Sequence, residues 1–250
     1  MKVLALTGGH SFDRDAFGLF LDSLPCETTW AEQPQALELM ASDASDEFDV
    51  TLHYDMPGAR PVPVLPPPGF AERVRARTEA GRGFVVLHHA IASWPAWPAW
   101  AELVGGRYLY RGGELRQRVW PDSGFRQAVP QHLTAVDHEH PVVAGLADGL
   151  DLVDETYLCP VFEDEVTPLL RTDATIDDSV HTSTVEATDG RAPGEAAWSH
   201  PAGSSLSAWT RTVGRSRVVY IQPGDTGATL GDPSYRRLVA NAVGWVSPVS

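Results

Sequence analysis

Short apolar runs alternate with helically spaced stretches along the first third of the chain. Residues 2–7 (KVLALT) run into the glycines of TGGH, the pattern of a strand buried on both faces that opens into a loop. Over 13–25, Phe17, Leu21 and Leu24 recur on one helical face, Asp13 stands where an N-cap belongs and Pro25 ends the run. CETTWAE (26–32) reads as a second strand, QPQALELMAS (33–42) as a helix and FDVTLHYD (48–55) as a third strand. The proline-rich connection 57–69 suits neither a helix interior nor a central strand. A helix over 70–80 closes on Gly81, and GFVVLHH (83–89) is the fourth strand. This alternation predicts a mainly parallel central sheet with helices on both faces. The strands at 2–7, 48–53 and 83–88 are expected to be neighbours in it.

Past Gly105 and Gly106 the rhythm changes. Residues 107–131 are rich in Arg, Gly and aromatics and show no clean period. HLTAVD (132–137), LDLVDETYL (150–158) and VTPLLRT (166–172) have the look of short strands, and VVYIQPGD (218–225) is a late apolar strand running into a glycine. A helix is expected over 232–245. The polar segment 172–196 is the best candidate for a mobile surface excursion. No repeat or long linker divides the chain, so a single domain over 1–250 is expected.

Charge narrows the range of partners. The net charge of −14 repels phosphate backbones and anionic membranes, and no basic run offsets it, so neither is expected as a partner. No apolar run approaches membrane-spanning length. Two cysteines, Cys26 and Cys159, form no CxxC and no disulfide framework, and the first residues lack a signal-peptide pattern. A cytoplasmic protein with two free thiols is expected.

Candidate chemistry gathers where apolar strands turn polar. In an open α/β sheet, ligands bind beyond the carboxyl ends of the strands. Three such ends carry His10, the pair His88 and His89, and Asp225. Successive strand residues point to opposite faces, so His88 is expected to face the crevice and His89 to point away. VDETY adds Asp154, Glu155 and Tyr157, a set suited to acid–base work, to sugar hydroxyls, or simply to a solvated strand end. His138 and His140 in VDHEHP could share a face and hold a metal. A loop in which His140 bonds backbone before Pro141 is the favoured reading. Trp94, Trp97 and Trp100 recur at near-helical spacing; most are expected in the core, and Trp94 is the candidate stacking platform for a sugar ring. No GxGxxG, Walker A or GxSxG motif is present, so no nucleotide cofactor is expected. A divalent metal is left open.

LALTGGHSFD, GFVVLHHAIASW, WAELVGGRYLY, VDHEHPVVAGL, DETYLCPVFEDEVTPLL and SRVVYIQPGD occur in an order that resembles the ThuA-like, trehalose-utilisation family over about residues 2–246. The resemblance implies a flavodoxin-like α/β fold similar to class I glutamine amidotransferases. In that superfamily the strand ending at Leu87-His88 leads to a nucleophilic cysteine. A histidine stands there in this chain, which argues against glutaminase chemistry. The resemblance also implies a role in using trehalose or related disaccharides, including 3-keto sugars. It carries over His10, His88, Glu155 and Tyr157 as pocket residues. Many family members end the late strand in Gly-His, where this chain has Gly224-Asp225.

Two functions are weighed. One is an enzyme, a lyase, isomerase or hydrolase of keto-sugars or glycosides, with His88, His10, Glu155 and Asp225 catalytic and His89, Trp94, Tyr157 and Gly9 contacting substrate. The other is a sugar-binding or regulatory module without catalysis. Convergent, mutually perturbed His and acid groups would favour the first. The expected partner is a small carbohydrate, with a homo-oligomer left open.

Overall fold

The computed structural model describes residues 1–58, 63–190 and 197–248. Its strands are β1 (Lys2–Gly8), β2 (Glu27–Glu32), β3 (Val50–Asp55), β4 (Gly83–Leu87), β5 (Gly113–Leu115), β6 (Arg118–Trp120), β7 (Gly124–Ala135), β8 (Leu150–Leu158), β9 (Thr167–Thr172), β10 (Thr182–Ser183), β11 (Leu206–Val213) and β12 (Ser216–Ile221). The helices are α1 (Arg14–Asp22), α2 (Gln35–Met40), α3 (Pro68–Ala80), α4 (Pro98–Val104), α5 (Thr184–Thr188), α6 (Gly227–Gly231) and α7 (Pro233–Val246).

The strand order β2-β1-β3-β4-β12 is parallel throughout, and β1, β3 and β4 are neighbours as the alternation predicts. β1 sends the chain to β2 on one side, and β3 lies on its other side. That switch leaves a crevice at the carboxyl edge between them. Beyond β12 the sheet continues antiparallel through β11, β9 and β7, with β8 and β10 both paired to β7. The parallel half is therefore extended by an antiparallel half, and β11, in a segment without strong apolar alternation, is a strand the sequence did not announce.

The central strands are buried on both faces, as continuous apolar runs require. Val85, Leu87, Val219 and Ile221 join one core with α1 and α7, while Phe84, Val86, Val218 and Tyr220 join the other with α2, α3 and α4. Local signals set the helix ends. The Asp13 carboxylate accepts from the Ala16 N–H at 2.9 Å to cap α1, and Asp232 caps α7 through the N–H groups of Ser234 and Tyr235. Gly81 takes φ 76° to close α3.

Two expectations change. β4 stops at Leu87, because His88 adopts φ 48° and the chain turns into a 3-10 segment, His88–Ala92. The part of 172–196 within the described residues is not a loose excursion. It carries β10 and α5, with His181, Ser183, Thr184 and Glu186 buried. Residues 191–196 lie outside the described residues. Cys26 and Cys159 are free thiols, as expected.

Candidate functional site

Above the carboxyl edge lies a cleft of about 1050 Å³, lined by His10, His89, Tyr108, Phe125, Glu155 and Tyr157 among others. Strand ends supply His10, Glu155 and Tyr157, and the stretch after α4, β7 and α5 supply the facing wall. After β1, Gly9 sits at φ 81°, and a Cβ there would lie 2.5 Å from the Met56 carbonyl oxygen. Only glycine lets the loop after β1 pass so close to the loop after β3. Gly9 is thus a packing hinge and does not line the cleft, whereas His10 beyond it does.

His88 is fully buried, behind the Glu155 and Tyr157 side chains that line the cleft. Its left-handed backbone at a strand-to-helix turn is a strained position for a residue with a Cβ, of the kind that holds functional side chains. The Nδ1 edge meets the Gln222 carbonyl at 2.7 Å. A carbonyl only accepts, so Nδ1 carries a hydrogen and the chemistry is left to Nε2. Around Nε2 stand the Tyr157 hydroxyl at 2.9 Å, Glu155 Oε2 at 3.3 Å and Asp225 Oδ1 at 3.5 Å. The acceptor atoms of His88, Glu155 and Asp225 lie within 4.8 Å of one another, so these three could hold a metal.

Asp154 organises the two carboxylates. Fully buried, it accepts from the backbone N–H of Glu155 at 2.7 Å and of Asp225 at 3.0 Å through Oδ1, and of Gly224 at 3.2 Å through Oδ2. It thereby fastens β8 to the loop after β12. A Gln222 side-chain N–H donating to the Glu155 carbonyl reinforces the same junction.

Burial and charge perturb these groups strongly. Burial alone would strip the His88 proton, but Asp225, Glu155 and Asp154 outweigh it and raise the imidazole to about 10. The hydrogen bond from His88 holds Asp225 below the usual carboxylate range against its partial burial. Burial pushes Asp154 up, partly offset by His88, and pushes the Tyr157 phenol well above its ordinary value.

His89 differs from its expectation. The turn at His88 ends the strand's alternation, so both histidines stay at the same edge. His89 lines the cleft, stacks on His10 at 4.7 Å and donates from Nε2 to the Tyr54 carbonyl at 3.1 Å. Burial, with His88 and His10 nearby, lowers its proton affinity well below the usual value. Trp94 is a correction. It is 3% exposed and packs on Phe70 in the core, so it offers no face to a sugar; its neighbours Ala92 and Pro95 reach the cleft instead. His140 accepts from the Val142 N–H, the loop role favoured over a metal site.

The structure thus brings His10, His88, His89, Glu155, Tyr157 and Asp225 to one edge. Gln222 and Tyr108 escaped the sequence reading, and Asp154 was noted in VDETY without a place in the site. Its burial and backbone partners on the loop after β12 were not visible in sequence; Tyr108 sits in an aperiodic stretch and gave no signal.

Residues 63–246 match the sequence model of the ThuA family, described as trehalose utilisation. The chain belongs to the ThuA family. No curated protein matches it. Among solved structures, a ThuA-like protein from Parabacteroides merdae is similar at a TM-score of 0.67 and 15% identity, covering 98% of this chain and 89% of that one. A cytoplasmic protein from Salmonella typhimurium is similar at 0.62 and 14% identity over 100% of both chains. PurLQS from Thermotoga maritima is similar at 0.57 and 10% identity, covering 98% of this chain and 99% of that one. These likenesses show the flavodoxin-like, class I glutamine amidotransferase-like fold. In this ThuA chain neither thiol stands at the turn after β4. Cys159 is buried in the core, which pushes its thiol up to about 12. Among the described residues no helix is long and apolar enough to cross a membrane.

Proposed function

We propose that this ThuA chain is a cytoplasmic enzyme of carbohydrate utilisation, acting on a keto-sugar derived from trehalose or a related disaccharide. The observation that carries the reading is the meeting of Glu155 and Asp225, from separate strand ends, at the buried Nε2 of His88, with Glu155 and Tyr157 carrying the cluster to the cleft. A binding module has no need of such a cluster, which is costly to bury.

The arrangement suits proton transfer beside a carbonyl. Glu155 both lines the cleft and reaches His88, so its carboxylate takes the proton from the carbon next to the carbonyl. The electron pair moves onto the carbonyl oxygen. Tyr157, kept protonated by burial, donates a hydrogen bond to that oxyanion, and the positive His88 imidazole behind Tyr157 stabilises it. Return of the proton from Glu155 to the former carbonyl carbon, with the neighbouring hydroxyl proton passing to the first oxygen, moves the carbonyl by one carbon and gives isomerisation. Re-formation of the carbonyl with departure of an oxygen substituent from the carbon beyond, which takes the Glu155 proton as it leaves, gives elimination. His10 and His89 form the wall that contacts the sugar.

The test is a turnover screen of the purified protein against disaccharides and their 3-keto derivatives, with and without added divalent metal. Consumption of a keto-sugar with solvent deuterium entering the carbon next to the carbonyl is expected. Saturable binding with neither turnover nor exchange would replace this reading by the sugar-binding module.

A further inference from the structure

We propose that the cleft holds a second sugar ring beside the reacting one, with the Phe125 ring as its stacking platform and the Gln127 side-chain amide as its hydroxyl partner. The inference rests on the keto-sugar reading of the same cleft and names the residues that select a disaccharide over a free hexose.

β7 carries the subsite. Phe125 stands directly opposite Tyr157 of β8, and opposed residues project from the same face with their Cβ atoms about 4.5–5.5 Å apart. Glu155, two positions before Tyr157, shares that face. Next to them the pairing slips. Arg126 pairs with Thr156 and Val129 with Asp154, so β7 has two residues, Gln127 and Ala128, where β8 has one, Glu155. Ala128 takes φ 53°, a left-handed backbone that is costly for a residue with a Cβ. Bulges re-aim side chains and are frequent beside active sites. This one sets Gln127 across from the proposed base, and Gln127 lines the cleft.

Both side chains are available to a ligand. Phe125 is half-buried yet packs into neither core. Other rings of the cleft are engaged: Tyr157 stacks on His88, and Tyr108 lies edge-on to Tyr110 and Tyr157. Phe125 lines the cleft without an aromatic partner among the described residues. The Gln127 amide, exposed and without a hydrogen bond among the described residues, offers two donors and an acceptor. An aromatic face beside an amide suits a pyranose, whose C–H face is apolar and whose hydroxyls ring its edge. Size agrees. The cleft of about 1050 Å³ is at the upper end of the ~300–1,000 Å³ that holds a drug-sized ligand, and a disaccharide is of that size whereas a hexose is roughly half of it. With the reacting ring against His10, His89 and Glu155, the second ring falls to Phe125 and Gln127.

The test titrates the full-length protein with 3-ketotrehalose and with 3-ketoglucose. Affinity is read as half-saturation of solvent-deuterium exchange where the sugar reacts, and by calorimetry where it does not. Wild type should prefer 3-ketotrehalose by about ten- to a hundredfold, and Phe125→Ala and Gln127→Ala should each weaken its binding by about three- to tenfold, the effect of losing one ring contact or one hydrogen bond. Neither variant should change 3-ketoglucose binding, and Phe125→Trp, which keeps an aromatic face, should retain the preference. Melting near wild type is expected for all three, since neither position belongs to a core. Equal affinity for the two sugars overturns the proposal, as does a preference that survives in both alanine variants; exchange on both sugars in either case leaves the enzymic reading standing. A preference that the alanine variants reduce, with no exchange on either sugar, keeps the subsite and removes the catalytic reading. Absence of binding by both sugars up to millimolar concentration overturns the two together.

Discussion

Asp154→Ala tests how the site is held together. The native carboxylate serves three backbone N–H groups, those of Glu155, Asp225 and Gly224. Alanine takes away both acceptor oxygens and with them all three bonds. Asp225 is half-buried, so its N–H can turn to water; Glu155 and Gly224 are buried and their N–H groups cannot. An unsatisfied buried polar group costs about 1–3 kcal/mol. Two of them give about 2–6 kcal/mol, a large share of the ~5–15 kcal/mol that holds a typical domain folded. Relief of the buried charge offsets part of this, because burial already disfavours the ionised Asp154.

Asp154→Asn separates the contributions and is the safer variant. Its carbonyl oxygen keeps the place of Oδ1 and continues to accept from Glu155 and Asp225, while its amide group faces the Gly224 N–H. One acceptor is lost and the buried Gly224 N–H is left unpaired, at about 1–3 kcal/mol. The assay is urea unfolding followed by tryptophan fluorescence, with the slope against urea expected to stay constant. The order of stability should be wild type, Asp154→Asn, Asp154→Ala. If Asp154→Ala unfolds within about 0.5 kcal/mol of wild type, the carboxylate is not the fastening that the geometry makes it.

His88→Ala should lower turnover by about two to three orders of magnitude, the usual range for losing one group that stabilises an oxyanion, measured on whichever keto-sugar the screen finds; wild-type turnover would make the histidine structural. Trp94→Ala should cost about 3–5 kcal/mol in urea unfolding, as expected for a buried aromatic, while leaving sugar affinity per folded molecule unchanged; weakened affinity in the folded variant would restore the stacking role. Acid should destabilise the fold through His181 and His200, whose proton affinities burial lowers. The unfolded chain binds more protons than the folded one between their folded values and the usual value of about 6.5, so stability falls as pH drops through that window. The urea midpoint should fall less between pH 7.5 and 5.5 in His181→Gln/His200→Gln than in wild type, and an identical fall would remove these groups as the cause.

The parallel half of the sheet was legible because its strands are buried on both faces. Val3 to Leu6 and Phe84 to Leu87 divide alternately between the two cores, so each had to be apolar throughout, and that run is visible without tertiary information. The antiparallel half was legible only in pieces. β7 reaches from Gly124 to Ala135 with exposed and buried positions mixed and a register shift between Arg126 and Val129, which blurs any period of two. Only its end stood out. In β8, three polar residues, Asp154, Glu155 and Thr156, are buried in succession. Their spacing alone gave no way to tell a buried polar junction from a solvated strand end, because the partners that satisfy Asp154 lie about seventy positions away on the loop after β12.

The histidine pair shows where strand logic stops. Alternation assigns His88 and His89 to opposite faces only while the backbone stays extended, and His88 at φ 48° is the residue at which it ceases to be. Beyond it the chain folds back, and His89 meets His10 and Tyr54 instead of a helix behind the sheet. The same turn explains why the active groups can converge. β1, β3, β4 and β12 bring four chain ends to one edge, and a tight turn at His88 places its ring beneath Tyr157 and between the carboxylates of Glu155 and Asp225. Tyr220 donates to the His88 carbonyl and fixes the turn from below. A residue strained in its backbone, fully buried and hydrogen-bonded on both ring edges is one whose replacement should disturb the chemistry and the turn together. The two can still be told apart. His88→Gln keeps a donor toward the Gln222 carbonyl but not the imidazole pair of nitrogens, so a variant that melts near wild type yet does not turn over would assign the loss to the ring.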